Sequence, residues 1–162
     1  MTIHLRSSQQ TDIPFLREML YEAVFWQNGP NTPSFNEGLS DPEVGKALIN
    51  WGERKGDIAV LAQVDSTPAG AAWFRFYNDD NFIRGYIRET IPTLVIAVHR
   101  DYRRKGIGEK IIDWLIDYAS NQNIKKISLM VSKDNHALNL YRKCGFTEYA
   151  DKGEALLMVR KI

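Results

Sequence analysis

The chain is nearly devoid of cysteine, poor in histidine and balanced in charge, and each shortage removes a class of function. Cys144 stands alone among 162 residues, so no internal disulfide braces the fold and a reducing compartment suits it. The histidines, His4, His99 and His136, show no metal-ligand spacing, and no metal is expected. Lys and Arg total 21 against 20 Asp and Glu, a net charge of +1. That balance gives no global attraction to nucleic acid or to a membrane. No apolar run approaches the roughly 18 residues of a membrane span, and no leading segment reads as a signal peptide, so the expected location is cytoplasmic. Repeats, coiled-coil heptads and low-complexity tracts are missing as well.

What is present is an ordinary globular composition, 44% hydrophobic and 25% charged. At this length it suffices for one core without staples, and a single domain over residues 1–162 is expected. Ile3 and Leu5 alternate with polar neighbours as in a first strand. Asp12-Ile13-Pro14 opens a helix with Asp12 as its cap, and Phe15, Leu16, Met19, Leu20, Ala23 and Val24 form its apolar stripe. Residues 28–40 read as one long connection, and Asp41-Pro42 starts a second helix through Val44, Leu48, Ile49 and Trp51 to Gly52. Ile58 to Val64 is a strand, Asp65 to Pro68 a turn, and Ala69 to Tyr77 the returning strand. Phe82 to Glu89 is extended or partly helical. Ala155 to Ile162 closes the chain as a strand.

The densest information lies between Leu94 and Ile112. An apolar strand, Leu94-Val95-Ile96-Ala97-Val98, runs through a basic connector into Arg103-Arg104-Lys105-Gly106-Ile107-Gly108 and an amphipathic helix. Ile107, Ile111, Ile112, Leu115, Ile116 and Ala119 line one helical face. A helix start carries unpaired N–H groups and a partial positive charge, and glycines at 106 and 108 let main chain approach a bulky anion. The spacing excludes two familiar phosphate loops. A P-loop needs Gly-Lys-Ser/Thr where Gly108-Glu109-Lys110 stands, and a dinucleotide fingerprint needs a small residue where Ile111 stands. Farther on, the strand Lys126 to Val131 leads to two capping residues, Asp134 and Asn135. A helix then passes Tyr141 and stops at Gly145-Phe146.

Arg103-x-x-Gly106-x-Gly108 after an apolar strand resembles the acyl-CoA pyrophosphate loop of the GNAT superfamily of N-acetyltransferases. Asn135-x-Ala137, then Tyr141 and Gly145-Phe146, is similar to that family's second cofactor motif. The resemblance implies an α/β fold with a mixed sheet in the order β-α-α-β-β-β-α-β-α-β-β, and acetyl-CoA as co-substrate. It places the pantetheine arm along Ile96, Ala97 and Val98. The pyrophosphate falls on Arg103, Arg104, Lys105, Gly106, Ile107, Gly108 and Glu109, and Asn135 and Tyr141 border the cofactor. Tyr141 is the expected general acid, with a core tyrosine satisfied by backbone as the alternative; Asn135 contacts the cofactor, caps the helix, or both. Glu89 is the expected general base by chain order, with a solvated surface acid as the alternative and Glu22 and His99 as weaker candidates. Trp26, Phe35 and Phe82 to Glu89 would flank the acceptor amine, a small molecule, a peptide N-terminus or a lysine. A homodimer through the late strands is compatible. The rival reading is a non-catalytic acyl-CoA sensor or interaction module on the same fold.

Overall fold

A computed structural model describes all residues, 1–162. Seven strands form one sheet: β1 (Ile3–Ser7), β2 (Ile58–Val64), β3 (Thr67–Arg75), β4 (Thr93–Val98), β5 (Lys126–Ser132), β6 (Thr147–Asp151) and β7 (Ala155–Lys161), in the spatial order β1-β2-β3-β4-β5-β7-β6. Five helices accompany them: α1 (Ile13–Val24), α2 (Phe35–Ser40), α3 (Pro42–Gly45), α4 (Ile107–Asn121) and α5 (Ala137–Lys143). All neighbouring strands are antiparallel except β4 and β5, which run parallel. No helix is long and apolar enough to cross a membrane.

The period-2 pattern of the strands sorts two cores onto the two faces of the sheet. Val60, Ala62, Ala72, Phe74 and Leu94 point to one face and meet Ile107, Ile111, Ile112 and Leu115 of α4 with Leu138 and Tyr141 of α5. Ala59, Leu61, Ala71, Trp73 and Ala97 point to the other and meet Leu16, Met19 and Leu20 of α1 with Leu39, Leu48 and Trp51. Both faces of the central strands are therefore covered, which is why they read as near-continuous apolar runs.

Several local expectations change. Asp12 does not cap α1 with its side chain; its carboxylate takes both guanidinium nitrogens of Arg6, at 2.7 and 2.8 Å, and the Gln9 N–H at 2.7 Å. Val24 is exposed rather than part of the stripe. The turn between β2 and β3 is only Asp65-Ser66, both at positive φ, so Thr67 and Pro68 belong to β3. The connection over 28–40 contains α2, started by Ser34, whose hydroxyl accepts from Glu37 N–H. The second helix ends at Gly45, and turns replace the rest to Gly52. The cause is long-range: buried Arg75 donates to the carbonyls of Lys46 and Ile49, and Trp73 Nε1 donates to that of Ala47. Carbonyls claimed from outside are turned away from a helical ladder. Residues 82–89 form neither strand nor helix.

Candidate active site

The parallel junction is the place where the sheet opens. β4 and β5 are paired only at Thr93↔Ser128, with Ser128 N–H donating to Pro92 O at 3.0 Å. On its other edge β4 is paired with β3 along its whole length, and the His99 N–H to Ala69 O bond fixes the alternation of that ladder. Val95 and Ala97 direct their main-chain groups at β3, and Leu94, Ile96 and Val98 direct theirs at β5. By the same reasoning, the bonds Ile162 N–H to Lys125 O and Lys133 N–H to Glu154 O turn odd-numbered β5 residues toward β7. Met130 and Ser132 therefore face the opening. Of the three strand residues named from the resemblance, Ile96 and Val98 present main chain to the gap, whereas Ala97 commits its own to β3. Val98 O is already occupied, by Arg103 Nε at 2.9 Å.

At the end of β4 the chain makes a 3₁₀ turn over Arg100–Tyr102 and enters the glycine turn. Arg104 (φ 62) and Gly106 (φ 81) both sit in the left-handed region. None of the N–H groups from Arg104 to Glu109 donates a hydrogen bond within the chain; the ladder resumes with Lys110 N–H to Gly106 O at 3.3 Å. Such a run at the start of α4 is an anion cradle of main-chain donors plus the helix dipole. The two glycines serve different ends. Gly106 meets open space and is required by its φ, whereas a Cβ on Gly108 would lie 2.8 Å from Leu140 Cδ2. Gly108 thus lies against Leu140 of α5, where a Cβ would press on a movable methyl. The Arg103 guanidinium turns back to Val98 O and to Glu22, 3.6 Å away. Arg104 and Lys105 are exposed, while Glu109 is paired with Lys143 at 2.8 Å.

α5 supplies the other wall. Asn135 Oδ1 accepts from Ala137 N–H at 2.9 Å, so its side chain does hold the helix start. Gly145 (φ 90) ends the helix, and Phe146 N–H returns to Tyr141 O at 3.0 Å, the long bond of a Schellman cap. Tyr141 is buried and lies edge-on to Phe146, with ring centroids 6.0 Å apart. No hydrogen bond joins its hydroxyl to any group of the chain, which removes the reading of a core tyrosine satisfied by backbone. Burial pushes the phenol well above its ordinary range. Cys144 is pushed up to about 11 by burial, then by Asp113 and Glu109, and is no nucleophile at neutral pH.

The acids fall on opposite sides. Glu89 is exposed and borders a groove with Phe76, Ile124 and Lys126, beyond the C-terminal end of α4. Phe76 and Ile124 pack on the α4-face core, and the length of α4 separates this groove from the glycine turn by about 20 Å. Glu22 instead lines a hollow with Tyr21, Phe25, Trp26, Arg100 and Arg103 on the α1 face, beside the end of β4. His99 caps the 3₁₀ turn through Nδ1, which accepts from Asp101 N–H at 3.3 Å. No cluster of three His, Cys, Asp or Glu gathers anywhere. Met130 borders the opening without any signal in the sequence, and Gly85 beside it falls within the 82–89 stretch expected to flank the acceptor but is not distinguished there from any loop glycine.

The fold is a mixed α/β sheet split between its parallel strands, with a run of unpaired main-chain N–H groups at the start of the helix beside the split. The acetyltransferase (GNAT) family model matches residues 20–146, and the chain belongs to that family. PaiA N-acetyltransferase from Thermoplasma acidophilum, solved in complex with coenzyme A, superposes with a TM-score of 0.69 at 18% identity over 100% of both chains. The yncA protein from Salmonella typhimurium, solved with acetyl-CoA, gives 0.69 at 18% identity over 99% of this chain and 94% of its own. At that identity the likeness is one of fold. The uncharacterized protein YxbD of Bacillus subtilis is 37% identical over 73 residues, 43% of this chain and 46% of its own. The match spans about half of that relative's length.

Proposed function

We propose that this protein is an N-acetyltransferase that uses acetyl-CoA and a primary amine in one ternary complex, without a covalent enzyme intermediate. The observation that carries the reading is the unbroken run of unpaired N–H groups from Arg104 to Glu109, joined to the open edge of β4. The first suits a diphosphate, and the second suits an extended amide-bearing arm that adds to β4 in place of a strand. When bound, acetyl-CoA supplies a thioester carbonyl open to attack.

This chain's residues then have separable tasks. Residues 104–109 hold the diphosphate, with Arg104 and Lys105 adding screened attraction. Ile96 N–H, aimed into the opening, donates toward charge developing on the acyl oxygen. The Tyr141 hydroxyl, free of partners in the chain, donates to the departing sulfur. A phenol raised above its ordinary pKa is a weaker acid than a thiol near 8.5, so a strong hydrogen bond is its contribution rather than complete proton loss. The amine proton leaves through solvent on the α1 face, which Glu22 borders; Glu89 opens onto the other side of the sheet.

Calorimetry with coenzyme A, ATP and NAD, followed by thiol release from acetyl-CoA with an amine panel, tests the reading. Binding of coenzyme A alone among the three, with amine-dependent thiol release, is expected. Binding without release across the panel leaves the sensor instead.

A further inference from the structure

We infer that residues 82–87, between β3 and β4, are the floor of the acceptor site, that Gly85 seats them there, and that the acceptor is an amine on an uncharged apolar or aromatic body. The inference rests on the acetyltransferase reading above and goes beyond it to the class of amine.

The seat is a close approach of backbones. Gly85 is buried with φ 103, and a Cβ built on it would lie 2.9 Å from Thr93 Cγ2, 3.0 Å from Met130 N and 3.2 Å from Leu129 C. Those atoms belong to the last paired rung of β4 and β5 and the first residues beyond it. Thr93 shares the side-chain face of Val95 and Ala97, which is the α1 face, and Ile83 packs on the α1-side core. The segment therefore crosses the vertex of the opening on the α1 face. Phe82 and Tyr86 stack across the turn with centroids 5.0 Å apart, and Tyr86 Oη donates to Asp79 at 2.7 Å. Both contacts stiffen the segment above its glycine.

Ile107 of the glycine turn and Tyr141 lie on the α4 face, so the coenzyme A arm takes that side of the split and an amine reaches the vertex from the α1 side. Half-buried Ile83, Val95 and Met130 meet it there, with Tyr21 and Phe25 of α1, whose rings lie 5.1 Å apart, toward the end of β4. Of the acids nearby, Asp79 accepts from Tyr86, Glu22 lies 3.6 Å from Arg103 and Glu89 borders the far groove, while Asp80 is exposed at the 78–81 turn without an ionic partner. Against these apolar side chains a second ammonium would lose its water without return, whereas an apolar body would cover them.

The test measures coenzyme A affinity by calorimetry and thiol release with phenethylamine and with spermidine, for wild type, Gly85→Ala and Ile83→Ala. Wild type is expected to favour phenethylamine in kcat/KM by about tenfold or more. Gly85→Ala, a change at a positioning residue, is expected to raise the phenethylamine KM about tenfold while coenzyme A affinity stays within about twofold, and Ile83→Ala to raise KM about threefold. Should Gly85→Ala not fold, Ile83→Ala decides. Preference for spermidine, no turnover of phenethylamine by a protein that binds coenzyme A, or an unchanged KM in the folded variants overturns the inference. Wild type that fails to bind coenzyme A removes the acetyltransferase reading itself.

Discussion

The two edges of β4 are built from the same six residues and behave oppositely. Toward β3 every residue from Thr93 to Val98 has a partner, and the far end of β3 is fixed by Arg75, fully buried and bidentate to Asp57 at 2.8 and 2.9 Å. Toward β5 a single rung is made, and main-chain groups are left facing a gap. A saturated edge contributes stability and offers a ligand nothing; an unsaturated edge costs stability and is where chemistry can be done. Substitutions should divide accordingly, those on the paired side moving the melting temperature and those on the open side moving turnover.

The largest effect is expected on the paired side. Asp57→Ala leaves the Arg75 guanidinium buried with only the Lys46 and Ile49 carbonyls and the Trp51 ring for company. A cost of about 3–5 kcal/mol follows from an uncompensated buried charge, readable by denaturant unfolding. A loss below about 1 kcal/mol would mean the guanidinium escapes to solvent, and the rigid half of the comparison would fall.

Adjacent prolines make the sharpest contrast. Ala97→Pro removes an N–H from the β3 ladder and orphans a buried acceptor, at about 1–3 kcal/mol. Ile96→Pro removes one that faces the gap, so it should melt closer to wild type while kcat falls about 10²–10³-fold. Equal melting temperatures for the two would show that the alternation assigned to β4 is wrong. Tyr141→Phe belongs with Ile96: turnover should drop about 10²-fold with coenzyme A affinity retained, because the hydroxyl makes no bond in the fold.

The glycine turn gives a milder version of the same division. Gly106→Ala forces an alanine to φ 81, a strain of about 1–2 kcal/mol at the cradle, and coenzyme A should bind more weakly. Gly108→Ala presses instead on a movable Leu140 methyl and should leave that affinity unchanged. Equal losses in calorimetry would put both residues against the ligand.

How much of this was legible follows the same line. The strands and α4 declare themselves because both cores impose strict periods, and the glycine turn because its donors belong to main chain and depend on glycine spacing. Ser34 and Glu37 signalled α2, a short helix whose Asn and Gly residues hid it. The early end of α3 was out of reach, since its carbonyls answer to Arg75 and Trp73 more than 20 residues away. Glu89 was placed by chain order, which says how far along a residue lies and not on which face it emerges. Gly85 looked like any loop glycine, because the atoms that require it arrive from β5.

The smallest expected effect tests the fold outside the split altogether. Asp12 is held below the usual carboxylate range, first by its hydrogen bonds to Arg6 and also by the Gln9 N–H, with burial opposing both. A lowered folded pKa means that the pair's contribution is complete above about pH 4, where an unfolded Asp is already ionised, and is lost as the pH falls through the lower folded value. Arg6→Met should therefore cost about 1–2 kcal/mol at pH 7. The gap between variant and wild-type melting curves should narrow below about pH 4. Asp151, held by Lys133 and the Gly153 N–H, titrates with the same sign but is common to both proteins and cancels from the difference. A gap that stays constant to pH 2.5 or so would show that Arg6 acts by packing its stem on the sheet edge rather than by holding the carboxylate.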